Sequence, residues 1–429
     1  MRPSSRVVCG GMIAAALSFV ALNAQAPAPG AQGGGRGGAA QARPPIPPDA
    51  KPPLPTEMPG AVKGYQTPKT PWGDPDLQGI WPGIELVGVP LARPASFGTR
   101  NWLTEEEFKQ REANAERQAA QDSAEFDIDT ASDGNTPGGT VGGPVSPPPH
   151  WLERGTPQHV AGLIIDPVDG QQPARVQGAG GGRQGGRAGA AGAPAGPPRG
   201  PADSYTDRSL YDRCITRGIA GSFLPIIYNN GNEIHQSPGY VVLRNEMIHE
   251  TRIVPLDNRP KLGDTIQQYM GDSRGHWEGN TLVVETTNFN DHTSGIAVNG
   301  GGRHSTAMKV TEHITRVSPT LLAWDMTFDD PNTWTRPWTI RLPLKLDNSY
   351  LMAEYGCHEG NYAMFNILSG ARADEKRAAE AAARGETPAP AAAPGGGGGR
   401  GRGGRGGAPG GGAPGGAPGG GAGQGQAPQ

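Results

Sequence analysis

Between residues 240 and 357, short runs rich in β-branched and aromatic residues follow one another at regular spacing. They are YVVLRNE (240–246), MIHETRIVPL (247–256), TLVVETTNF (281–289), MKVTEHITRV (308–317), TLLAWDMTF (320–328), WTRPWTIRLPLKL (334–346) and YLMAEYGC (350–357). Turn signals separate them: Asp257-Asn258, Glu278-Gly279-Asn280, Ser318-Pro319, Asp330-Pro331-Asn332 and Asp347-Asn348. Short strands joined by tight turns specify an antiparallel meander. A meander of this length must manage its edges, so the expected fold is mainly β, closing into a lipocalin-like barrel or a barrel-like sandwich. A small helical N-terminal segment packs on it.

The period-two alternation names the inside. In 320–328 one face carries Leu322, Trp324, Met326 and Phe328. In 334–346 one face carries Trp334, Trp338, Ile340, Leu342, Leu344 and Leu346, and the other Thr335, Thr339, Arg341 and Lys345. Two charges fall on these apolar faces. Arg336 lies between Trp334 and Trp338, and Glu312 alternates with Val310 and Ile314. An unpaired buried charge is costly, so each needs a partner. The expectation is that Arg336 stacks on tryptophan and pairs with Glu312 or another acid. One reading is a core ion pair or an edge arginine. The other is an aromatic ligand pocket of Glu312, Trp324, Trp334, Arg336 and Trp338 that holds a small, mainly apolar or acidic ligand.

Flanking segments differ in composition. Gly (69) and Pro (44) make up about a quarter of the 429 residues and are concentrated in a few stretches. Residues 27–64, 176–203 and the tail within 373–429 lack the apolar residues to offset ordering entropy and read as disordered, after a short helix at 370–386 in the tail. Arg400, Arg402 and Arg405 sit in Arg-Gly repeats, read as a spacer or envelope-contacting tail. The 65–175 segment holds a strand at 76–81, a helix opened by a Thr104/Glu107 capping box, and a buried strand within 159–170. The barrel core spans 204–372.

The N-terminus has Arg2 and Arg6, an apolar run from Val7 to Leu22, and the small-x-small site Ala24-Gln25-Ala26. This is the pattern of a signal peptide over 1–26, which places the protein in the periplasm or outside the cell. Removing it leaves Cys214 and Cys357, expected to pair in an oxidising compartment. That bond would tie Tyr211-Asp212-Arg213 to the region of Tyr355, His358 and Glu359. The net charge of −3 supplies no basic excess for nucleic acid. No later run is long and apolar enough to span a bilayer.

Recognised catalytic patterns are missing. There is no HExxH, no CxxC pair and no GxSxG, and the nine histidines are scattered, so neither metal nor cofactor is expected. The stretch GDSRGHWEGNTLVVETTNF (271–289) packs Asp272, His276 and Glu278 near a turn. It reads first as a hairpin, Gln267 to Trp277 against Thr281 to Phe289. The catalytic candidates, should the chain be an enzyme, are Asp272 with Glu278 as an acid/base pair, His276, His358 and Glu359.

PWGDPDLQGIW, GLIIDPVDGQQP, GDSRGHWEGNTLVVETTNF, DDPNTWTRPWT and CHEGNYAMFNILSGAR, in this order, resemble a family of exported bacterial proteins of unknown function. The resemblance implies export and carries no catalytic residue. Gly79-Ile80-Trp81 is similar to the GxW of lipocalin first strands. Trp81 then either enters the barrel or packs on the outside of the β domain. Three functions follow from these readings. The leading one is an exported protein that binds a small, mainly apolar ligand. The others are a cell-envelope hydrolase or lyase using carboxylate and His residues, and a structural or interaction module of the envelope.

Overall fold

The structure is a computed structural model that describes residues 44–124, 152–153, 155–177, 202–291, 304–359 and 361–385. All belong to one compact unit, Arg36–Ala393. Residues 1–26, where the sequence predicts a signal peptide, residues 27–43 of the first linker, most of the 176–203 segment and the tail after 385 lie outside the described residues.

Among the described residues ten strands form two antiparallel sheets. The smaller has the order β1-β3-β4-β5, from Gly79–Ile80, Asn232–Ser237, Tyr240–Asn245 and Thr251–Pro255. The larger has the order β2-β10-β9-β8-β7-β6. Its strands are Ile164–Asp166 (β2), Asp272–Glu278 (β6), Thr281–Thr287 (β7), Lys309–Ser318 (β8), Leu321–Asp329 (β9) and Trp338–Lys345 (β10). The meander holds from β6 to β10 because each connection carries its own turn chemistry. Glu278 pairs with Thr281 across Gly279-Asn280, and Gly279 takes φ 61°, where a side chain would be strained.

No closed barrel forms among the described residues. β5 and β6 run side by side without ladder hydrogen bonds. They approach so closely that a Cβ on Gly275 would lie 2.7 Å from Val254 and 2.8 Å from Leu256. The result is two sheets on a common core, in which Leu282, Val284, Val310, Ile314, Leu322, Trp324, Met326, Phe328 and Ile340 meet Ile234, Val241, Leu243 and Val254.

The N-terminal segment enters both sheets instead of packing outside them. β1 pairs with β3 and β2 with β10. Trp81 is fully buried, its indole N–H donating to Leu77 O at 2.9 Å, with the Arg316 guanidinium 5.5 Å from its ring. β3, NEIHQS, is absent from the strands read in the sequence. Its inner face carries Asn232 and Gln236 on either side of the core residue Ile234, and the two amides serve irregular backbone. The Gln236 side chain accepts from Leu77 N at 2.7 Å and donates to Pro75 O at 3.0 Å, while Asn232 donates to Trp81 O at 3.2 Å.

Three further readings need correction. The stretch 350–357 is not a strand. β2 already occupies the outer edge of β10, and the segment is held instead by Ala353 N and the Tyr350 hydroxyl on the Glu246 carboxylate, at 2.8 and 2.6 Å. The 334–346 strand begins only at Trp338, after Pro337, which has no N–H for the ladder. Part of the expected disordered linker is ordered: Pro55–Glu57 form a 3₁₀ turn, and Met58 is buried against Val317, Leu321 and Ala323.

Among the described residues two long helices flank the sheets. The second, Ala363–Ala383, starts seven residues before the expected 370 and buries none of its residues. The first, α1 (Glu105–Ala124), opens on the capping box read from the sequence. Glu107 N donates to Thr104 Oγ1 at 3.3 Å and Thr104 N to Glu107 Oε2 at 2.8 Å. Arg100 grips the same carboxylate with two bonds of 2.5 and 2.8 Å and holds its pKa down to about 2. A depressed carboxylate contributes stability above its unfolded pKa and loses it as pH falls through the folded value. The Glu107 side chain is one-third exposed, so the contribution is screened. Glu107→Gln is expected to lower stability by about 0.5 kcal/mol at neutral pH, a gap that closes as the pH falls from about 4.5 to about 2. Urea unfolding across that range measures it, and a pH-independent gap would assign the effect to the cap alone.

Candidate functional site

The residues singled out in the sequence do not assemble into one site. Asp272 and Glu278 stand at opposite ends of β6, about 20 Å apart at the strand rise, too far to act as an acid/base pair. Asp272 holds Arg274 and accepts from Leu262 N at 2.9 Å, which fastens the preceding loop to the hairpin. His276 and Glu278 contact each other at 3.2 Å on the exposed outer face of that hairpin. His358 and Glu359 are exposed in the turn after Cys357.

The expected Arg336–Glu312 pair is not made. Arg336 lies outside the strand, with its side chain 52% exposed, and pairs with Asp166 at 2.9 Å. Glu312 is fully buried, as read, but its partner is Arg252 across the core, at 2.6 and 2.9 Å. The Trp324 indole donates to the same carboxylate at 2.9 Å, and Phe223 covers the guanidinium at 5.5 Å. Trp334 and Trp338 meet edge to face at 5.5 Å, and Phe328 fills the space beside Trp338. These residues build a packed interior.

A small cleft lies elsewhere. It is bordered by Arg217, Tyr269, Phe289, His304, Met308 and Phe328, and its enclosed volume of about 10 Å³ holds about one water. Arg217 immediately precedes α2 (Gly218–Phe223), a helix whose other residues are driven into the core by Ile219, Ala220 and Phe223. The Arg217 residue is 6% exposed, and burial lowers its pKa. Its guanidinium stacks 4.7 Å from the Tyr211 ring.

Tyr211 is the centre of a phenol cluster. Its hydroxyl lies 3.0 Å from that of Tyr228 and 3.1 Å from that of Tyr355. Burial pushes Tyr211 up to about 12 and raises Tyr228 and Tyr355 as well, so all three stay protonated at neutral pH. They can donate hydrogen bonds but cannot act as bases. Across the cleft, His304 is buried edge-on to Phe289 at 5.4 Å, and burial lowers its pKa and favours the neutral ring. Its loop is fixed by Asp330, which accepts from Ser305 N, Ser305 Oγ and Thr333 Oγ1, each at 2.6 Å. On the Arg217 side, the Glu250 carboxyl is pushed up by burial and leaves Oε1 without a hydrogen bond.

The cleft offers a partly desolvated cation and apolar walls, with the phenol cluster packed behind Arg217. Those features suit holding an anionic group attached to an apolar body, and they supply no activated nucleophile. Sequence reasoning reached Tyr211 and Tyr355 only through their neighbouring cysteines. It missed Arg217, Tyr228, Glu250 and His304, which sit in irregular segments where no periodicity points inward.

Cys214 and Cys357 lie at disulfide distance, S–S 2.11 Å and Cα–Cα 5.6 Å. Among the described residues no group of three or more His, Cys, Asp or Glu is placed to hold a metal ion, and no helix is long and apolar enough to cross a membrane. No family model, curated protein or solved structure matches this chain.

Proposed function

We propose that the chain is an exported protein that binds a small molecule combining an apolar body with one acidic group. The observation that carries this reading is Arg217, buried beside an aromatic and apolar cleft and stacked on a phenol cluster. A guanidinium that has already lost much of its water binds an anion at a smaller desolvation cost than a solvated one. Binding is assigned to this cleft and not to the sheet interior, which the tryptophans fill. The ligand body would lie across the cleft mouth, where Tyr269 is 39% exposed. Export is supported by the basic, apolar and small-residue order of the N-terminus and by the cysteine pair.

The test uses 8-anilinonaphthalene-1-sulfonate, an aromatic body with a single anionic group. Wild-type protein is expected to bind it saturably at one site. Arg217→Gln should weaken that binding by about 10- to 100-fold, the value of a lost charge-assisted hydrogen bond. The uncharged analogue N-phenyl-1-naphthylamine should bind wild type and variant alike. Absent saturable binding, or equal sulfonate affinity in the two proteins, overturns the reading.

A further inference from the structure

The phenol cluster beside Arg217 is built from two distant parts of the chain. Tyr211 and Tyr228 flank α2, whereas Tyr355 comes from the segment after β10. Each half lies close to one cysteine: Tyr211 precedes Cys214 by three residues and Tyr355 precedes Cys357 by two.

The segment carrying Tyr355 has no sheet ladder. Its upstream end is fastened by Tyr350 and Ala353 to Glu246. From Glu354 onward the segment is tied to the fold by isolated hydrogen bonds and no ladder. They include the Tyr355–Tyr211 hydroxyl contact, Tyr355 O at 3.3 Å from His249 Nδ1, Asn361 Nδ2 at 3.4 Å from Asp212 O and 3.1 Å from Cys214 Sγ, and, further on, the exposed Arg372 donating to Asp203 O at 3.1 Å and Ala202 O at 3.3 Å. The helix that follows buries nothing. Single hydrogen bonds of this kind do not offset the entropy of ordering the residues that make them. The covalent link supplies what they lack, because it holds Tyr355 at the Tyr211 hydroxyl whatever the rest of the segment does.

We infer that the Cys214–Cys357 bond completes the Arg217 site, so that ligand binding is acquired when the two thiols are oxidised and weakened when the bond is reduced. The inference rests on the reading of the Arg217 cleft as the binding site. In the forward step the two thiols lose two protons and two electrons to a protein or small-molecule disulfide, whose S–S bond breaks and whose two sulfurs leave as thiols. A dithiol reductant reverses the step. Reduction frees Tyr355 from Tyr211, and Tyr211 then loses one of the two hydroxyl contacts that hold its ring against Arg217.

The experiment uses the full chain, oxidised and then reduced with dithiothreitol. Sulfonate-probe binding is read together with backbone hydrogen exchange. Reduction is expected to weaken probe binding at least tenfold and to speed exchange at 354–359 and 209–217, with β8 and β9 staying protected. Reoxidation should restore both. Tyr355→Phe, which keeps the bond and removes only the hydroxyl, should weaken the probe several-fold in the oxidised state. Unchanged exchange at 354–359 on reduction overturns the inference. So does loss of protection throughout β8 and β9, which would make the bond a global stabiliser. The exchange readout needs no ligand. If the oxidised protein fails to bind the probe through Arg217, the functional reading falls alone, and exchange still decides whether the bond organises the phenol cluster.

Discussion

Glu312→Ala is expected to destabilise the protein by about 3–5 kcal/mol, the cost of leaving one member of a buried ion pair without its partner. The Arg252 side chain is 4% exposed and its charge has no water to turn to. The Trp324 indole N–H loses its acceptor at the same time. Arg252 belongs to the four-stranded sheet and Glu312 to the six-stranded one, so the lost contact is a charged tie between the sheets. Urea unfolding measures the effect. The double variant Arg252→Met, Glu312→Leu is expected to recover most of the loss, since an apolar replacement of both partners removes the desolvation cost along with the attraction. A single-variant cost below about 1 kcal/mol would mean that water reaches the pair and that it behaves as a surface contact.

Trp81→Ala should cost a comparable amount, about 3–5 kcal/mol. The ring is fully buried in the shared core and is covered by Arg316 on one face. Its removal leaves a cavity where β1 joins β3, beside Leu77 and the buried amides of Asn232 and Gln236. Trp81→Phe is expected to retain most of the packing and to lose mainly the 2.9 Å bond to Leu77 O. Thermal unfolding of the two variants separates cavity from hydrogen bond. If alanine and phenylalanine cost the same, the hydrogen bond and not the ring volume is what holds this corner.

The parts of the fold that the sequence made legible are those where side-chain chemistry alternates. β7, β8 and β9 could be read because Val284, Ile314, Trp324 and Met326 all fall in step with a single buried face. The same rule misled at Arg336, because alternation was carried through Pro337, where the strand has not yet begun. β5 hides its inward residue for the opposite reason. Ile253 points to solvent at 62% exposure while Arg252 points into the core, so the apolar side chain marks the wrong face. Glu312 was therefore recognised as buried and matched with the wrong arginine. β3 escaped notice because its inner amides serve loop backbone and read as loop residues themselves. The cleft was illegible because Arg217 and His304 are brought together by tertiary packing of irregular segments, which leaves no mark in local sequence.

The pairing of β1 with β3 and of β2 with β10 also governs how the protein comes to be folded. Gly79 meets Ile234 and Ile164 meets Ile340, partners more than a hundred residues apart in the chain. Neither short strand can be added until the late-synthesised strands exist, and closing loops of that size is paid before any contact rewards it. A chain emerging from its N-terminus carries Leu77, Trp81 and Ile164 uncovered until residues near 345 follow. This topology predicts that the β6–β10 meander, built from local hairpins, forms before β1 and β2 dock.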